Sequence, residues 1–321
     1  MAVYTQISDE DLEAFLADYA IGELISFSGI AEGVENSNFL VRTTADTFIL
    51  TLYEKRVNPN DLPFFIELMR HLASKGLSVP SPVPARDGRT LRALNGRPAA
   101  VVTFLNGVWR RRIQPSCCRE LGAGMATMHL AGADFAMTRA NDLSVPGWRP
   151  LFESCDLPSR EIYHPMHNML NRELSHLEAH WPRDLPTGTI HADLFPDNVF
   201  FLGEKLSGFI DFYFACTDIL AYDLAICLNA WCFETDGSFN VTKARNLVSG
   251  YQSVRPLSAE ERAALPILAR GSALRFLLTR LYDWLNHPEG ALVKPKDPME
   301  YHQKLRFHQA VTNPSAYGLL Q

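Results

Sequence analysis

The chain has 321 residues, of which 47% are hydrophobic and 21% charged, and its net charge is −6; this length and balance suit a folded protein of about two domains. An acidic surplus argues against nucleic acid as a partner, because neutralising a phosphate backbone requires a basic face. No apolar run approaches the ~20 residues that cross a bilayer, the segment 1–18 carries Asp9, Glu10, Asp11 and Glu13 where an export signal would be basic and apolar, and the six cysteines show no Cys-x-x-Cys spacing, so a cytoplasmic protein with reduced thiols and no membrane partner is expected.

The first hundred residues predict strands around one helix. Residues 23–28 read as a strand leading into Gly29-Ile-Ala-Glu-Gly33, and 38–43 and 47–54 as β-rich segments, with Phe48, Leu50 and Leu52 alternating on one face. Asp61 suits the start of a helix reaching about Lys75, because Leu62, Phe65, Ile66, Met69 and Leu72 recur at helical spacing and Gly76 supplies a stop. The prolines at 80, 82 and 84 then stiffen an extended connector. Asn95-Gly96 joins two further strands, 89–94 and 97–104, as the favoured two-residue hairpin turn. Leu105-Asn106-Gly107 reads as a hinge.

Beyond Pro115 the pattern is mainly helical, with predicted helices over 116–131, 159–181 (interrupted near Pro165), 223–234, 241–254 and 258–286. The arginines at 110–112 form a basic cluster that reads as a solvated loop. Inside this helical half lies His191-Ala-Asp193-Leu-Phe-Pro-Asp-Asn198, followed thirteen residues past Asn198 by Asp211. Asp193 suits an attacking hydroxyl, while Asn198 and Asp211 offer oxygen ligands to Mg²⁺, which is the spacing of an ATP-dependent phosphoryl-transfer site. Residues 199–202 and 206–210 read as a hairpin that carries the chain out from Asn198 and returns Asp211 beside it. Two hard oxygen donors suit a largely hydrated Mg²⁺ bound to phosphates.

These segments, together with Phe48-Ile-Leu-Thr-Leu-Tyr-Glu-Lys-Arg56, Gly208-Phe-Ile-Asp-Phe-Tyr213 and Arg275-Phe-Leu-Leu-Thr-Arg-Leu-Tyr-Asp283, resemble the aminoglycoside phosphotransferase and choline kinase superfamily, and within it the homoserine kinase group. The resemblance implies an α+β, protein-kinase-like two-lobed fold. Its N-terminal nucleotide-binding lobe, 1–106, would be a small five-stranded antiparallel sheet with one helix, and its larger, mainly helical lobe, 107–321, would hold catalysis and substrate. It implies ATP and Mg²⁺ as cofactors, L-homoserine as substrate and O-phospho-L-homoserine, a threonine precursor, as product. Asp193 is the implied catalytic residue, Asn198 and Asp211 the metal and nucleotide ligands, Gly29 and Gly33 part of a nucleotide-covering loop, and His191 and Asp223 supports of the catalytic loop. Arg275, Trp231 and Asp218 are candidates for the substrate pocket, with a salt bridge or core packing as the competing role for the arginine and the tryptophan.

One departure stands out. The strand lysine that kinase-like folds pair with a helix glutamate is replaced by Thr51; Lys55 lies about 13 Å farther along at ~3.3 Å per residue, and Glu67 loses its expected partner. Arg42 is an alternative source of charge. A kinase for another small hydroxylated amine (choline, an aminoglycoside or methylthioribose) and a non-catalytic nucleotide-binding protein are the competing readings.

Overall fold

The computed structural model describes residues 5–30, 36–54, 57–157, 164–287 and 295–319. It opens with a helix that the sequence reading does not include, α1 (Asp9–Leu16), whose N-cap Ser8 side chain accepts the Asp11 N–H. Only Leu12, Phe15 and Leu16 form its apolar stripe, too short a pattern to stand out among acidic residues. The strands β1 (Leu24–Gly29), β2 (Ser37–Thr43), β3 (Thr47–Leu52), β4 (Arg92–Leu94) and β5 (Arg97–Thr103) form one antiparallel sheet in the order β1-β2-β3-β5-β4. The strand predicted over 89–94 thus shortens to three residues, while Asn95 and Gly96 take the positive φ values of 48° and 73° that their turn requires.

Strand alternation gives this sheet two covered faces. Phe39, Val41, Phe48, Leu50 and Val101 pack with Leu12, Phe15 and Leu16 of α1. Ala100 and Val102 join Phe65 and Met69 of α2 (Leu62–Ser74) in the main core, which continues into the helical lobe. β5 is therefore buried on consecutive residues and reads as an unbroken apolar run.

The helical lobe contains α3 (Pro115–Ala131), α4 (Val145–Ser154), α5 (His164–His180), α6 (Leu220–Trp231), α7 (Val241–Gln252), α8 (Ala259–Leu285) and α9 (Pro298–Ala310). The part of the predicted 159–181 helix before 164 lies outside the described residues. α6 begins at Leu220, three residues before the predicted start. Every residue from Leu220 to Asn229 is buried, so no amphipathic stripe marks its first turn. Helices α4 and α9 are unpredicted: α4 contains Pro146 and Pro150, and α9 is mostly polar. α3 and α7 pack closely enough that a Cβ on Gly122 would stand 2.1 Å from the Leu247 carbonyl oxygen, and one on Gly250 2.1 Å from that of Arg119.

Two small antiparallel pairs hold the central segment. β6 (Thr187–Ile190) and β9 (Cys216–Ile219) pair with Ile190 opposite Cys216, and β7 (Val199–Leu202) and β8 (Lys205–Phe209) form the predicted hairpin. The connector from the sheet is fastened to that hairpin by paired backbone bonds of 3.0 Å between Val108 and Phe201. Arg110, read as solvated, instead donates to the Gly203 carbonyl and lies over the Phe201 ring. All six cysteines are buried free thiols, and no helix among the described residues is long and apolar enough to cross a membrane.

Candidate active site

The chain leaves β6 at Ile190, runs through the loop 191–198, crosses the β7–β8 hairpin and returns as Ile210-Asp211 before β9. The return is bonded at both sides. Ile210 N–H donates to the Asn198 carbonyl at 3.0 Å, and His191 Nε2 lies 2.9 Å from the Ile210 carbonyl. Since His191 Nδ1 accepts the Asp193 N–H at 3.3 Å, Nε2 carries the proton and donates it. The buried ring is thus a neutral imidazole with both nitrogens used. Burial, opposed by the Asp223 charge and the Ile210 bond, holds its pKa below the usual histidine range. The Asn198 amide donates to the Asp193 carbonyl oxygen at 2.8 Å and to its Oδ2 at 3.1 Å. With Nδ2 committed in this way, Oδ1 is the atom Asn198 has left for a ligand. Asp211 is exposed and lies next to this asparagine. Asn198 and Asp211 each offer a hard oxygen, the kind of donor that suits a cation keeping water and phosphate ligands; among the described residues no cluster of three or more His, Cys, Asp or Glu is arranged for a metal.

Two non-glycine residues here adopt the left-handed backbone: Ala192 with φ 62° and Asp211 with φ 64°. Each such residue costs about 1–2 kcal/mol, and it persists only where the surroundings hold it. At Ala192 the holder is Asp223. Its two carboxylate oxygens accept consecutive N–H groups, from His191 at 2.9 Å and Ala192 at 2.8 Å, and His129 Nε2 approaches Oδ2 at 3.1 Å. Burial pushes the Asp223 carboxyl up, but the His129 hydrogen bond and the His191 backbone N–H bond outweigh it and hold the group below the usual carboxylate range. His129 comes from α3 and carries no local sequence signal of this task; its Nδ1 is held in turn by the Tyr251 hydroxyl at 2.8 Å.

Asp193 is half-buried. Burial raises its carboxyl well above the usual range, the Arg275 charge opposes this and the Asp211 charge adds to it, with Lys296 a smaller opposing influence. Arg275 is 1% exposed and donates from Nη1 to the Ala192 carbonyl at 2.6 Å, with its guanidinium 4.4 Å from the Phe276 ring centroid. It backs the catalytic loop and does not line an open pocket. Trp231 is likewise fully buried and donates Nε1–H to the Leu194 carbonyl at 2.7 Å. The expected pocket wall is a second brace behind the loop. Arg280 is held by Glu300 and the Asp297 carbonyl. Asp218 accepts from Asn141 Nδ2 at 2.7 Å and from the Ile219 N–H at 2.7 Å, which ties β9 to the segment before α4. Lys296, which the sequence reading does not single out, places Nζ 5.4 Å from the Phe195 ring centroid on the catalytic loop.

On the nucleotide side, Gly29 closes β1 opposite Phe39. Gly33 and Lys55 lie outside the described residues. Thr51 is buried and donates its hydroxyl to Asn38 Oδ1, its cross-strand partner, at 2.8 Å. Glu67 pairs on the surface with Arg70, and Arg42 is exposed.

Residues 26–257 match the model of the phosphotransferase enzyme family. The chain belongs to that family. Two full-length relatives are named homoserine kinase. The one from Paramagnetospirillum magneticum is 65% identical and the match covers 99% of this chain and all of the relative. The one from Xanthobacter autotrophicus is 67% identical with 99% of both chains covered. Among solved structures, an amicoumacin kinase in complex with AMP-PNP and Ca²⁺ superposes with a TM-score of 0.70 at 16% identity, covering 94% of this chain and 92% of that one. The two-lobed phosphotransferase described above therefore has a kinase-like fold, with a five-stranded antiparallel sheet in the first lobe and helices dominating the second.

Proposed function

We propose that this phosphotransferase moves the γ-phosphoryl group of ATP to the side-chain hydroxyl of L-homoserine, forming O-phospho-L-homoserine and ADP in the direction of threonine synthesis. The observation that carries the chemistry is the bonded set Asp193–Asn198–Ile210, which gathers one carboxylate for an alcohol and two oxygen donors for a cation. Homoserine as acceptor rests on relatives of 65% and 67% identity over nearly the whole chain.

In this reading residues 1–106 hold the nucleotide, with Gly29 and Gly33 in the covering loop, and residues 107–321 supply catalysis and substrate. Asp193 accepts the hydroxyl proton as the oxygen–phosphorus bond forms and the bond to the β-phosphate oxygen breaks. Its raised carboxyl pKa favours taking a proton, although positioning for in-line attack matters more in a loose transition state. Asn198 and Asp211 hold Mg²⁺, which when bound neutralises charge on the phosphate oxygens. His191 and Asp223 keep the loop in shape. With Arg275 and Arg280 committed to the protein, our candidate partner for the substrate carboxylate is Lys296, whose Nζ lies 5.4 Å from the Phe195 ring centroid.

The test is turnover by the purified chain with MgATP and homoserine, choline, an aminoglycoside or methylthioribose. Homoserine is the expected acceptor; phosphorylation of another panel member with homoserine ignored overturns the assignment. Asp193→Ala should abolish turnover and leave MgADP binding intact, and near-normal turnover would remove Asp193 from its role.

A further inference from the structure

Neither partner of the usual strand–helix ion pair is present in its working position. Thr51 stands where the lysine would, and Glu67 turns outward to Arg70. A different connection joins the sheet and α2 to the segment after Asp211. Tyr53, two residues past Thr51 and 2% exposed, places its hydroxyl 3.1 Å from that of Tyr213. Their rings meet edge-on with centroids 5.2 Å apart and planes at 83°. Phe65 of α2 packs edge-on against the same Tyr213 ring at 5.8 Å and 86°. Thr51 is not part of this contact; its hydroxyl is spent on Asn38 Oδ1 at 2.8 Å.

Tyr213 is the second residue after Asp211, inside the short turn Phe212–Phe214. The left-handed Asp211 therefore has bonded neighbours on both sides: Ile210, tied to Asn198 and His191, and Tyr213, tied to the sheet. We propose that the Tyr53–Tyr213 hydroxyl pair is a positioning latch. It couples the sheet, α2 and the Asp211 segment, as the ion pair does in folds that keep the lysine, and it sets how well Asp211 receives its cation. The proposal rests on Asp211 being a metal ligand, the reading given above.

Tyr213→Phe, Tyr53→Phe and the double variant keep the rings and remove only hydroxyls, so folding is preserved and is checked by the thermal midpoint. The readouts are the Mg²⁺ concentration for half-maximal ADP binding by calorimetry and that for half-maximal turnover. Tyr53→Phe should raise both about fivefold, the factor of one ordinary hydrogen bond. Tyr213→Phe breaks the same bond and should raise them by the same factor, the double variant should match either single variant, and the KM for homoserine should stay unchanged. Unchanged Mg²⁺ requirements, or single effects that multiply in the double variant, overturn the latch. Wild-type protein that binds MgADP but ignores homoserine overturns the substrate assignment and leaves the binding arm to decide the latch. Wild-type protein that binds ADP without any Mg²⁺ dependence overturns the latch and the reading of Asp211 as a metal ligand.

Discussion

Replacing Asp223 by asparagine changes almost no volume and removes one acceptor at the point where the catalytic loop is held. The carboxylate takes the His191 and Ala192 N–H groups at 2.9 and 2.8 Å in a fully buried setting. An amide accepts one of them and turns its own N–H₂ toward the other. Two hydrogen bonds to a charged acceptor are worth about 1.5–3 kcal/mol each, and one retained neutral bond about 1 kcal/mol, so the net loss is ~3 kcal/mol. For a protein of this size that is a fall of roughly 4–5 °C in thermal midpoint. The activity loss is the sharper sign. Once released, Ala192 relaxes from its left-handed backbone and carries Asp193 with it, and a misplacement of ~1 Å costs on the order of 10²-fold in kcat. Because the folded carboxyl lies below its ordinary pKa, its stabilising contribution is complete above the usual carboxylate range and disappears as pH falls through the depressed value. The stability gap between wild type and Asp223→Asn should thus be constant near neutrality and close only in acid. Urea denaturation at several pH values and steady-state kinetics measure both effects. A variant with kcat within about threefold of wild type, a difference below ~1 kcal/mol in barrier, would refute the claim that Asp223 shapes the loop.

Lys296→Ala should raise the KM for homoserine about tenfold, the loss of one charged hydrogen bond, and leave the KM for MgATP unchanged; an effect on MgATP alone would assign Lys296 to the phosphates. His308 is buried, with Nδ1 facing the Tyr317 hydroxyl at 2.8 Å and Nε2 facing Asn229 Oδ1 at 3.1 Å. Burial, aided by the Lys304 charge, pushes its pKa down from 6.5 to about 3. The unfolded chain then takes up a proton that the folded one refuses, so stability falls as pH drops from about 6.5 toward 3. Between pH 7 and 5 this residue accounts for ~2 kcal/mol, and His308→Gln should remove that part of the slope in urea unfolding measured at the two pH values. Gly250→Ala forces a methyl to 2.1 Å from the Arg119 carbonyl oxygen. Thermal unfolding should show a loss of about 1–3 kcal/mol or more from overpacking the α3–α7 contact.

The chemistry was legible in the chain because its parts are local. Asp193, Asn198 and Asp211 lie within nineteen residues, and the β7–β8 hairpin between the last two is encoded by short-range patterning. The five-stranded sheet and α2 could be read for the same reason, since period-2 and period-3.6 patterns belong to single segments. What holds the site in shape was legible only in part: His191 and Asp223 were expected as loop supports and do bond the loop backbone, but the distant groups that back them were not. His129 reaches Asp223 across 94 positions, Arg275 reaches Ala192 across 83, and Tyr53 reaches Tyr213 across 160. No spacing rule links such pairs. They meet because helices and sheet pack on one core, and packing also turned Arg275 and Trp231 from substrate candidates into buried supports. Short elements were lost likewise: β6 and β9 are four residues each and stable only as partners. Sequence determined that the chain is a phosphotransferase and which groups we propose for the transfer, because those residues and their hairpin are written contiguously. Tertiary structure decided how those groups are held, because burial and long-range hydrogen bonds exist only once the chain has closed on itself.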